Sequence, residues 1–74
     1  NQAVDLVFFD DSKGHTAHLF SKIGFDKERL HVPNPYIGPD LSRRGTCMVY
    51  PYLFGEFLYH HVNQLTRVGM VWLD

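Results

Sequence analysis

The run Val4 to Phe9 constrains this chain more than any other feature. Apart from Asp5 it is an unbroken apolar block of β-branched and aromatic residues, and it leads straight into Asp10-Asp11-Ser12-Lys13-Gly14. A strand that is apolar on both sides has no face to give to water. It belongs inside a parallel sheet covered on both faces. Directly afterwards Leu19, Phe20 and Ile23 recur at helical spacing, which predicts a core-facing helix from about Thr16 to Ile23. Gly24 stands where a left-handed residue stops such a helix.

The rest of the chain repeats the alternation. Leu30-His31-Val32 reads as a second short strand closed by Pro33, and Thr46 to Tyr50 as a third closed by Pro51. Residues 33–45 hold three of the four prolines and two glycines, so they form a loop. From Glu56 onward, Leu58, Val62 and Leu65 mark a second helix, and Val68 to Leu73 a last strand with Trp72 as a core residue. The predicted order is β-α-β-β-α-β, an α/β fold with a mostly parallel sheet. Residues 1–74 make one small domain. Ligands of such sheets bind beyond the carboxyl ends of strands. The loops Asp10 to Thr16 and Pro51 to Gly55 both leave strand ends and are expected to face one crevice.

Composition removes several function classes. A net charge of −1 gives no electrostatic footprint for nucleic acid. No apolar run reaches the ~20 residues of a membrane helix, and the start carries no signal-peptide pattern. One cysteine, Cys47, excludes an intramolecular disulfide and fits a reducing compartment, so a cytoplasmic location is expected. His15 and His18 at the helix start, and His60 with His61 on the second helix, fall short of the three or four converging donors a metal centre needs. Tyr59 beside the His60-His61 pair predicts an exposed patch, which suggests a partner.

The first loop admits three chemistries. As a phosphate cradle, Gly14 would let the backbone approach an anion while Ser12, His15 and Thr16 supply hydroxyl, imidazole and amide donors at a helix amino terminus. As an acidic site, Asp10 and Asp11 would hold Mg²⁺, which takes one or two carboxylates plus substrate oxygens. As a receiver domain it would need a phosphorylatable Asp ending the third strand and a later lysine. Tyr50-Pro51 ends that strand, and no lysine follows Lys27.

The stretch Asp11-Ser12-Lys13-Gly14-His15-Thr16-Ala17-His18-Leu19-Phe20-Ser21-Lys22-Ile23-Gly24 resembles, without gaps, the flavodoxin phosphate loop and helix of the NrdI family. Gly14, Thr16, Lys22 and Gly24 match that family's pattern outright. Leu30 to Pro33 and Met48 to Tyr52 are similar to its second and third strands. The resemblance implies a small flavodoxin-like fold and FMN as cofactor. The phosphate would lie on Ser12, Lys13, Gly14, His15 and Thr16, and the flavin ring near Pro51, Tyr52, Leu53, Phe54 and Gly55. It further implies an electron-transfer role toward the small subunit of class Ib ribonucleotide reductase as partner, and redox chemistry rather than hydrolysis. Two other readings stand beside it. One is a flavin-free binding module acting through a protein partner, or as an oligomer, by way of an open edge strand. The other is a fragment of a haloacid-dehalogenase-type phosphatase, because Phe8-Phe9-Asp10-Asp11 resembles the metal-binding strand end of that family. The nucleophile there sits on a separate Asp-x-Asp strand, a motif these residues lack.

Overall fold

The computed structural model describes residues 4–11, 13–36, 45–64 and 68–72, the last five through their backbone. It is a small α/β structure. Strand β1 (Asp5–Phe8) is followed by helix α1 (His15–Lys22), β2 (Leu30–Pro33), β3 (Met48–Tyr50), α2 (Phe54–His61) and β4 (Val68–Trp72). Short 3-10 turns at Lys27–Arg29 and Val62–Gln64 precede β2 and follow α2. All three strand pairings are parallel, in the order β3-β2-β1-β4. Among the described residues no helix is long and apolar enough to cross a membrane. The loop expected at 33–45 falls largely on residues outside the description, as do the side chains of Val62, Leu65 and Trp72.

The apolar block behaves as a doubly covered strand should: every residue of β1, and every residue of β2 beside it, is buried. On one face Leu6, Phe8, Leu30 and Val32 form a cluster with Ala17 of α1 and with Cys47. On the other face Phe57 of α2 is fully buried, with its ring 4.6 Å from that of Tyr50 and 5.9 Å from that of His31. This second face also carries a buried polar diagonal. His31 Nε2 lies 2.9 Å from Asp5 Oδ1, His31 Nδ1 lies 2.8 Å from the Tyr50 hydroxyl, and Arg29 donates to Asp5 Oδ2 at 3.3 Å.

Helix α1 ends as its sequence requires. Gly24 takes a φ of 109°, its N–H bonds the Ser21 carbonyl, and the Phe25 N–H reaches back to the Phe20 carbonyl. The rings of Phe20 and Phe25 meet edge to face at 5.8 Å, which supplies the apolar contact that accompanies this type of helix end. The inward stripe differs from expectation. Ala17 and Phe20 face the sheet, whereas Leu19 and Ile23 are 64% and 65% exposed. The spacing is helical either way, but the close packing of Ala17 under the strand rotates Leu19 and Ile23 outward.

Helix α2 likewise starts two residues earlier than predicted and turns a different side inward. Phe57 and His61, one turn apart, stack on each other and meet Tyr50 of the sheet at tilted ring angles, in place of the stripe through Leu58. Glu56 folds back to accept the Leu53 N–H, fixing the helix start there. Phe54 and Gly55, expected in a ligand loop, therefore belong to the first turn of α2.

Cys47 is buried against β1 and β2, and loss of water pushes its thiol from 9.0 up to about 11, with the Asp10 carboxylate adding to the effect. The folded chain keeps this proton between those two values while the unfolded chain loses it. Stability should therefore fall by about 2 kcal/mol as pH rises from the lower value to the higher. Urea unfolding across that range checks it: Cys47→Ala should flatten the decline, and an unchanged slope would contradict the burial.

Candidate functional site

In the order β3-β2-β1-β4 the chain moves outward on one side of β1 and then returns to the other, so strand order reverses between β1 and β4. The carboxyl end of β1 is thus the place where an open α/β sheet forms its crevice. The residues leaving it are Phe9, Asp10 and Asp11. The loop after β3 leaves the same end of the sheet, but β2 stands between the two strands, and helices α1 and α2 cover opposite faces. The two loops do not share a crevice.

At the amino end of α1 the first-turn N–H groups have no intrahelical acceptors and carry partial positive charge. Asp10, only 3% exposed, fills that position. Its Oδ2 accepts from Ala17 at 2.8 Å, and its Oδ1 from Thr16 at 3.1 Å and from Asp11 at 2.8 Å. Asp11 completes the arrangement from the exposed side. Its Oδ1 accepts from Lys13 at 2.9 Å and from His15 at 3.2 Å, and its Oδ2 lies 2.7 Å from His15 Nδ1. Desolvation alone would raise the Asp11 carboxyl. The His15 N–H and imidazole and the Lys13 N–H outweigh it, and the net shift is downward.

Gly14 has φ of 73°, a left-handed turn in which its own N–H bonds the Asp11 carbonyl and its carbonyl takes the His18 N–H. The glycine is needed for that backbone turn. The donors assigned to a bound phosphate on Lys13, His15 and Thr16 are therefore already turned on two carboxylates, and Ser12 lies outside the described residues. Lys13, Gly14 and His15 line, with His18 and Thr46, an open cavity of about 350 Å³ beside the loop.

The second group of expected site residues is dispersed. Pro51 and Leu53 are exposed, and Tyr52 is half-buried against the rings of His60 and His61 at 5.4 Å and 5.8 Å. Phe54 and Gly55 are helical. Among the described residues there is no group of three or more His, Cys, Asp or Glu side chains placed to hold a metal ion. Sequence reasoning read the Asp pair as Mg²⁺ ligands and missed its capping role. The available signal was ordinary: acidic residues just before a helix are stabilising there. Thr46, which lines the cavity, had no sequence signal at all. Comparison with protein-family models, with curated proteins and with solved structures finds no match for this chain.

The two carboxylates should separate cleanly in stability measurements. Asp10→Ala strips buried N–H groups of a charged acceptor and should cost about 3 kcal/mol, whereas exposed Asp11→Ala should cost under about 1 kcal/mol. Equal losses in chemical denaturation would show that the buried cap does not hold the helix.

Proposed function

We propose that this chain supplies the acidic half of a Mg²⁺-assisted phosphate-ester site of the haloacid-dehalogenase type. The observation that carries the reading is the state of Asp10 and Asp11 at the strand-order reversal. Their N–H bonds occupy Asp10 Oδ1 and Asp11 Oδ1 twice each, while each Oδ2 takes a single partner. A carboxylate oxygen offers about two acceptor sites, so the exposed Asp11 Oδ2 retains capacity for a hard cation, while Asp10 Oδ2 is buried on the Ala17 N–H. Mg²⁺ would supply charge neutralisation for a phosphate ester there.

The FMN reading has the left-handed Gly14 in its favour. It also requires a dianionic phosphate to displace two carboxylates from the helix amino terminus, which like charges oppose. The strand order differs too: flavodoxin-like sheets run 2-1-3-4-5, with the third strand next to the first.

Divalent-cation binding followed by Mn²⁺ electron paramagnetic resonance, with Mg²⁺ competition, tests the proposal. Asp11→Asn should weaken binding by about tenfold or more, equivalent to roughly 1.4 kcal/mol, while Gly14→Ala should retain a measurable site. FMN uptake by the parent chain that Gly14→Val abolishes would replace this reading with an NrdI-like electron-transfer role toward ribonucleotide reductase. Binding of neither cation nor FMN would leave the protein-partner module.

A further inference from the structure

On the α2 face of the sheet one nitrogen has no counterpart. His61 packs its ring against Phe57 at 5.0 Å and Tyr50 at 5.2 Å, and its Nδ1 bonds Gln64 Oε1 at 3.1 Å. Its Nε2 is buried without a hydrogen-bond partner. With Gln64 Oε1 accepting, Nδ1 carries the proton, so the bare Nε2 is a lone pair that can only accept. A buried polar atom left unsatisfied is costly, which makes this one a feature to be explained.

The polar diagonal beside it suggests what the lone pair is for. Asp5 accepts from His31 Nε2–H, so in neutral His31 the Nδ1 is an acceptor and the Tyr50 hydroxyl must donate to it. When His31 takes a second proton, Nδ1–H becomes the donor and the same hydroxyl oxygen must accept. The Tyr50 hydrogen is then released to seek another acceptor. Burial, with the Asp5 carboxylate nearby, raises Tyr50 above the usual tyrosine range, so the hydroxyl keeps its hydrogen in either case.

We infer that His31, Tyr50 and His61 form a proton-driven switch in which protonation of His31 turns the Tyr50 hydroxyl over to His61 Nε2 and draws α2 onto the sheet. The atoms balance: one proton enters at His31 Nδ1, the Tyr50 O–H changes acceptor, and no covalent bond breaks. The groups facing His31 are Asp5 from β1, Arg29 from the 3-10 turn on that same carboxylate and Tyr50 from β3, and His61 of α2 stands behind Tyr50 and Phe57. The sequence of β4, Val68 to Trp72, contains no titratable residue. This inference is independent of the acidic site at the end of β1.

Side-chain ¹⁵N spectra recorded on the intact chain from about pH 8 to about pH 5 cover the histidine range. The expected result is an upfield shift of His61 Nε2, toward a hydrogen-bonded acceptor, with the midpoint at which His31 Nδ1 becomes protonated. Protection factors of α2 amides, referred to the intrinsic exchange rate at each pH, should rise by roughly fivefold over the same step, the worth of one neutral hydrogen bond. In Tyr50→Phe, His31 should still titrate while His61 no longer responds. A His61 Nε2 signal that stays constant through the His31 titration overturns the switch, as does the same shift in Tyr50→Phe. The parent titration decides alone if that variant fails to fold.

Discussion

The carboxylate of Asp10 in the amino end of α1 is the interaction on which the rest of this small structure depends. It joins the last residues of the central strand to the first turn of the helix that covers one face of the sheet. Hydrogen bonds to a charged acceptor are about twice as strong as neutral ones, and this acceptor is buried. The sharp left-handed turn at Gly14, the inward set of Ala17 and the outward set of Asp11 all follow from where that carboxylate sits. One residue closes the helix end and orients its acidic neighbour at the crevice.

That arrangement also explains why loop residues of similar type can serve opposite chemistries. A backbone that ends a strand, turns at a glycine and enters a helix presents several N–H groups to one point. An external phosphate can occupy the point, or a carboxylate from the chain itself can. Where the chain supplies the anion, the amide donors no longer select a ligand, and chemistry passes to the oxygens that remain. Here the exposed one is Asp11 Oδ2, whose single partner is the His15 ring nitrogen.

The coarse fold was legible because it rests on local, repetitive signals. The apolar block from Val4, the glycine at Gly24 and the prolines at Pro33 and Pro51 marked the α/β alternation and most element ends. Helix orientation was less legible, since Ala17 against Leu19, or Phe57 against Leu58, is settled by what fits beneath the helix rather than by period alone. Neighbourhood within the sheet was not legible. Nothing in the sequence tells that β2 separates β1 from β3, or that β4 returns to lie beside β1, because those are contacts between distant segments. Such contacts decide which loops meet at the end of β1, which is why the loop after β3 was expected there.

The strand order has a kinetic side. Leu6 of the central strand pairs with Leu30 on one flank and with Met70 on the other. The first pairing closes a short loop that includes α1. The second must bring in the far end of the chain, at a greater loss of chain entropy. Loop-closure entropy therefore favours pairing β1 with β2 through α1 before β4 is recruited. Until it arrives, β1 has an open flank, and the crevice at its carboxyl end has only one wall.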